Sequence, residues 1–319
     1  MKTLLTILAI FPFLSFAIER DTTVQHHWKE ELRSFQPTFD TNELTIISTN
    51  KIFEECWDEL AHPNFWKTIM RLSPDSCVIN IAATRTIVQK MAIADWDKNT
   101  DDEKDAIRDS IRAAHGLDAE DKIYMTTGKN DFYQFEKVIP SLAKGVEVFH
   151  EEGVDPWYAQ AILLIESPGK LAKSNVGAYG AFQLMKGVAR SHGLRVDKYV
   201  DERKDFKKSA QAAASLLSNT CIPHARRILD EHDLHYNEND LWFRLFVLHI
   251  YHAGAGNVEA VVNVIDPEFG GMNIIQEMWV NSAAHFKNSS QNYSQLALAS
   301  LMILDEIVHN SSTLASLDK

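Results

Sequence analysis

The sequence is short of positive charge: 32 Lys and Arg stand against 44 Asp and Glu, a formal net charge of −12. A nucleic-acid groove needs a basic footprint, and an anionic membrane surface draws basic segments, so neither partner is expected. Membrane-length apolar runs are missing as well. A spanning helix needs about 20 apolar residues, and the nearest candidate beyond the N-terminus, Leu296 to Leu304, runs at once into Asp305 and Glu306. Cysteine is scarce: Cys56, Cys77 and Cys221 are the only three, and none has zinc-site spacing. A Cys56–Cys77 pair would close a short loop; the alternative is three small buried hydrophobes. His249 and His252 share a helical face without an evident third ligand, so neither a metal nor a cofactor is expected. Thr127-Gly128-Lys129 lacks the earlier glycine of a phosphate loop.

What the N-terminus does contain is a targeting pattern. Lys2 precedes an apolar run from Leu4 to Leu14, and Ser15-Phe16-Ala17 puts small residues where signal peptidase reads them. Residues 1–17 are therefore expected to be a signal peptide cleaved after Ala17. The mature chain is expected to be exported, to the periplasm, without a membrane anchor.

The remainder reads as an N-terminal helical region, 18–148, and a C-terminal domain, 149–319. Ile18 to Asn50 is polar and poorly periodic, which suggests a loose arm. Ile52, Phe53, Cys56, Trp57 and Leu60 recur at helical spacing, with His62-Pro63 as the stop. A second helix is expected over Val78 to Met91. Thr100 to Glu103 forms a capping box for a third, which Gly116 ends. Ile123 to Phe135 reads as a short hairpin or an irregular loop.

Trp157 to Ile165 is apolar on nearly every face, as in a buried helix, and Pro168-Gly169 stops it. Ser174 to Met185 is a close-packed loop rich in small residues. Further helices are expected over Ser209 to Leu217, Leu241 to Tyr251 and Gln291 to His309, with Asn257 capping another over Val258 to Ile265. Strand signals are sparse, and the fold class read from this pattern is all-α.

Glu166 is the chief candidate for chemistry. It ends the buried helix, where a carboxyl is partly desolvated and its pKa rises. A carboxylic acid still protonated near neutral pH is what general-acid cleavage of a glycosidic bond requires.

Its surroundings extend the case. Glu166-Ser167, Ser174, Gly177-Ala178-Tyr179-Gly180, Gln183-Leu184-Met185 and Tyr251-His252-Ala253-Gly254 occur in that order. The stretch from Asp155 to Ile265 resembles the soluble lytic transglycosylase family. His192-Gly193-Leu194-Arg195-Val196 and Asp201-Glu202-Arg203 resemble its membrane-bound lytic transglycosylase D-like branch. Pro168-Gly169 replaces the family's usual aromatic, Lys186 its proline and His252 its asparagine. The resemblance implies a lysozyme-like helical catalytic domain, with the N-terminal region as an addition packed on it. It also implies peptidoglycan glycan strands as the substrate.

Glu166 would protonate the oxygen joining N-acetylmuramic acid to N-acetylglucosamine. It would then act as base on the 6-hydroxyl, closing a 1,6-anhydro ring. Ser174, Gln183 and Tyr179 would line the sugar groove, with Tyr251 and His252 beside the acid. The residues leave alternatives open. Ser174 can simply cap a turn, Gln183 can bond backbone, Tyr251 can be core, and Asp201-Glu202-Arg203 can be an ion-pair knot. A goose-type lysozyme-like hydrolase and a non-catalytic wall-binding scaffold are the alternative functions. In the latter, the N-terminal region would dock a protein partner.

Overall fold

Helical periodicity governs most of this chain, but a short-period segment near residue 80 builds a sheet. The computed structural model describes residues 27–317, apart from 38, 39, 41, 167–173 and 175. The proposed signal peptide and Pro168-Gly169 lie outside the described residues.

The stretch read as a loose arm holds regular structure among its described residues. A 3₁₀ turn, His27–Glu31, leads into an antiparallel pair, β1 (Leu32–Phe35) and β2 (Leu44–Ile47), with Leu32 opposite Ile47 and Phe35 opposite Leu44. Burial of Phe35, Leu44, Ile46 and Ile47 orders it. α1 (Asn50–Glu54) and a 3₁₀ turn over Trp57–Glu59 follow, and α2 (Ala61–Arg71) begins where a stop was expected. Pro63 sits in the first turn of α2, where its missing N–H costs no helical bond. The chain breaks earlier, at Cys56, whose φ of 58° is left-handed.

Val78 to Met91 is not a helix. It contributes to β3 (Ser76–Ile81) and β4 (Ile87–Ala92), which form an antiparallel sheet of order β4-β3-β5 with β5 (Ile123–Thr127). β3 is covered on both faces. Cys77, Ile79 and Ile81 join Trp96, Ile111 and Ile123 in a small core, while Val78 belongs to the main one. A strand buried on both faces reads as a continuous apolar run, which periodicity alone cannot tell from a buried helix.

α3 (Ile93–Trp96) and α4 (Asp101–His115) complete this part. α4 has its capping box, Glu103 N donating to Thr100 Oγ1 and Thr100 N to Glu103 Oε2, and ends at Gly116 with φ 63°. At Gly128 a side chain would collide with the Leu72 and Ser73 carbonyls, so close backbone approach explains this glycine. The three cysteines are free. Cys56 is exposed on its turn, while Cys77 is buried in β3 and Cys221 in the main core. This corrects both the disulfide and the reading of three buried hydrophobes.

α5 (Phe135–Glu151) runs unbroken through residue 148, and α6 (Pro156–Glu166) packs against it. α7 (Lys186–Ser191), α8 (Phe206–Leu216), a π-turn over Leu217–Cys221, and α9 (Ile222–Glu231) follow. α10 (Leu241–Ala253), α11 (Ala255–Ile265), α12 (Met272–Val280) and α13 (Asn288–Leu317) close the chain. Asn257 does not cap the start of α11. Its amide donates to the Ala253 carbonyl at 2.8 Å, closing the end of α10.

α6 and α10 are apolar on nearly every side because other elements surround them: Pro156 to Ile165 and Leu241 to Ile250 are all buried. The N-terminal region joins the same core. The Gln160 side chain on α6 bonds both the N–H and the carbonyl of Ile47 at 2.9 Å. On α13, Gln295 accepts from Trp66 Nε1 at 3.0 Å and Asp305 from Thr49 Oγ1 at 2.6 Å. The described residues are mainly helical, and the departure from all-α among them lies in five short strands of the N-terminal half.

Candidate active site

The apolar composition that buries α6 carries its last residue, Glu166, to the edge of the core, where the carboxyl is half-buried. Burial raises its pKa from 4.5 to about 7, opposed by a hydrogen bond from Tyr293. The helix adds to this, because its C-terminal carbonyls disfavour a negative charge there. Tyr293, on the second turn of α13, donates its hydroxyl to Glu166 Oε1 at 2.8 Å. Oε2 has no protein partner among the described residues. Neither does another carboxylate contribute to the shift on Glu166.

Three tyrosines lie within electrostatic reach of this carboxyl: Tyr133 before α5, Tyr251 on α10, and Tyr293. Each phenol is pushed up, first by burial and then by the Glu166 charge. They stay protonated, so they can donate hydrogen bonds but cannot serve as bases near neutral pH. Tyr251 donates to the Phe182 carbonyl at 2.6 Å, which holds the Ser174–Leu184 loop against α10.

In that loop, Ser174 caps a turn: its Oγ accepts from Ala178 N at 2.9 Å and its carbonyl from Gly177 N at 3.0 Å. Gln183 adopts φ 46° and donates its amide to the Gly180 carbonyl at 3.0 Å. Tyr179 pairs through its backbone with Leu184, and its ring faces the cationic groups of Arg203 and Lys204. Arg203, 4% exposed, pins the loop by donating to the Gly177 and Leu184 carbonyls at 2.9 Å while Asp201 holds its other side. Asp201-Glu202-Arg203 is thus a structural knot. Gly180 is packed so closely on the Arg203 carbonyl that no side chain would fit.

The structure therefore brings Glu166, Tyr251 and His252 together, with Gln183 joined through the neighbouring Phe182 carbonyl. Ser174 and Tyr179 belong to the loop held there; their described bonds serve the loop itself. His252 stacks on Tyr293 with ring centroids 4.3 Å apart and is otherwise exposed. Desolvation lowers its pKa below 6.5. His249, fully buried against Phe286, has a pKa lowered to about 3, again first by desolvation.

Sequence reasoning missed Tyr293 and Tyr133. A lone tyrosine in the polar first turns of the last helix carries no local signal, and only the fold brings it 127 positions back to Glu166.

Residues 148–263 match the family model of the transglycosylase SLT domain. The match runs from within α5 almost to the end of α11 and includes Glu166, Ser174, Tyr179, Gln183, Tyr251 and His252. It supports a transglycosylase-type, glycan-cleaving enzyme with a lysozyme-like helical domain acting on peptidoglycan. Tyr133, Tyr293 and the N-terminal sheet lie outside it. No curated protein matches the chain.

Proposed function

We propose that the protein is a peptidoglycan lytic transglycosylase of the membrane-bound lytic transglycosylase D-like branch, exported to the periplasm. It cuts the bond between N-acetylmuramic acid and N-acetylglucosamine and leaves 1,6-anhydro ends. The observation that carries this reading is the placement of Glu166: a carboxyl at the end of a buried helix, bonded to the Tyr293 hydroxyl and pushed up to about 7 by burial.

Glu166 donates that proton to the glycosidic oxygen as the bond breaks. The carboxylate left behind takes the proton of the 6-hydroxyl, whose oxygen closes onto the anomeric carbon. Tyr293 occupies Oε1, which leaves Oε2 for the sugar. Donation from Tyr293 also steadies the carboxylate between the two proton transfers. Retaining glycosidases instead place a second carboxyl about 5–5.5 Å away. None of the described carboxylates influences Glu166, and residues 167–173 and 175 contain no Asp or Glu. A one-carboxylate mechanism fits that arrangement. Ser174, Tyr179, Gln183, Tyr251 and His252 form the sugar-facing surroundings of the acid in this reading.

The test is Glu166→Gln on purified wall sacculi, with mass analysis of the released muropeptides. Loss of a general acid lowers the rate by about 10²- to 10⁴-fold, and the circular dichroism should not change. Activity within a few-fold of wild type would overturn the assignment. Wild-type release of reducing ends would mark a goose-type lysozyme-like hydrolase, and no release would mark a wall-binding scaffold.

A further inference from the structure

Arg85, at the tip of the turn between β3 and β4, is only 9% exposed. Its Nη2 donates to Asn292 Oδ1 at 2.7 Å, and its guanidinium lies 5.3 and 5.7 Å from the Phe65 and Trp66 ring centres. Among the described residues no acid pairs with it, and its buried Nε has no acceptor. A cation withdrawn from water is costly when its counter-charge and hydrogen bonds are incomplete. The aromatic rings supply part of that compensation.

Arg85 also forms a wall of a cavity of about 500 Å³ between the small sheet and the start of α13. Lys122 and Lys287 line this cavity and are exposed, and neither has a carboxylate within ion-pair distance. Asn288 and Gln291, in the first turn of α13, complete that side. The first N–H groups of a helix lack intrahelical partners, and its dipole favours an anion there. In a chain of net charge −12, this wall gathers three cations that form no ion pair among the described residues. Glu120 and Asp121 stand on the same wall. Asp121 Oδ2 already accepts from Asp118 N at 2.9 Å, while Glu120 has no ion-pair partner. Tyr124 adds an exposed aromatic surface.

We propose that this cavity binds the peptide stems of the wall, taking a stem carboxylate at Arg85, Lys122 and Lys287 and the amine of a diamino acid at Glu120 and Asp121. A bare polyanion would meet the two acids; a zwitterionic peptide satisfies both signs. The proposal rests on the wall-cutting function. It adds that the small sheet and the start of α13 read the peptide while α6 and the second turn of α13 work on the glycan. The two sites meet on α13: Asn292 receives Arg85, and its chain neighbour Tyr293 holds Glu166.

Calorimetric titration of the full chain with the soluble tripeptide L-alanyl-γ-D-glutamyl-meso-diaminopimelate tests this apart from any cleavage. Wild type should bind it. The double variant Lys122→Glu, Lys287→Glu, which alters exposed side chains alone, should bind at least about tenfold more weakly, the size of one lost charge-assisted contact. A tripeptide with its carboxyls amidated should weaken to a similar degree. Equal binding by wild type and double variant, no binding at millimolar peptide, or displacement by equimolar inorganic phosphate overturns the proposal. A chain that binds tripeptide but cuts no wall keeps the peptide site and refutes the cutting reading. One that cuts wall but binds no tripeptide does the reverse.

Discussion

At its first turn α6 meets Asp155, and at its last it presents Glu166; burial pushes both carboxyls up, but only Asp155 has a cation to oppose it. Asp155 accepts from Arg244 Nε at 2.8 Å and from Trp157 N at 2.9 Å at the helix N-terminus. Arg244 is 1% exposed and also donates to Glu31 at 2.9 Å, and Glu31 pairs with Lys51 at 2.8 Å. Two acids and two bases balance the charge of that network, with Arg244 Nη2 left without an acceptor. Glu166 has no cation partner among the described residues, sits at the unfavourable end of the helix dipole, and receives one tyrosine hydroxyl. The compensated end fixes structure by joining the N-terminal region to α10. The uncompensated end is where a proton can be held and released near neutral pH.

Breaking the compensated end should give the largest effect on stability. Arg244→Ala strands Asp155 at the core and leaves Glu31 with Lys51 alone; it should cost about 3–5 kcal/mol, read as a lowered midpoint in denaturant unfolding. A change under 1 kcal/mol would dissolve the distinction between the ends of α6. Glu166→Gln should do the opposite. The folded pKa of about 7 lies above the ordinary 4.5, so the folded state binds the proton more tightly. The stability this contributes is full below pH 4.5 and is lost as pH rises through 7. A glutamine escapes that loss, so the variant should gain about 1–3 kcal/mol over wild type above pH 7. Urea midpoints for both proteins at pH 4 and pH 8 check the sign.

A smaller effect is expected from Tyr293→Phe. Its hydroxyl favours the carboxylate, so removing it should raise the Glu166 pKa and move the alkaline limb of wall cleavage upward by up to about 1 unit. A limb moving downward would show that Tyr293 holds the protonated form instead. The smallest effect belongs to His252→Asn. Because desolvation lowers the His252 pKa below 6.5, the ring is neutral where the Glu166 proton is lost. The two pH–rate profiles should superimpose; a separate limb near 6.5 appearing only in wild type contradicts this.

Legibility in the sequence followed the range of the interactions. The buried character of α6, the capping box of α4 and its end at Gly116 depend on residues within a turn or two, and all were readable. So was the placement of Glu166 at a helix end. The N-terminal pair β1–β2 was not, because its order comes from burial against α5 and α6. Nor was β3, whose apolar run is covered by Trp96 and Ile111 on one side and the main core on the other.

The sequence by itself determined the mainly helical character, the place of Glu166 at a helix end and the turn-rich loop after it, since each is written in local composition and spacing. Only the tertiary structure decided what surrounds the acid: Tyr293 arrives from α13, and Tyr133 from the segment before α5. Arg85 likewise meets Asn292 only because the β3–β4 turn packs on α13. Such contacts join residues that are strangers in the chain, and their free energy comes from excluding water across the whole core, which no local pattern records.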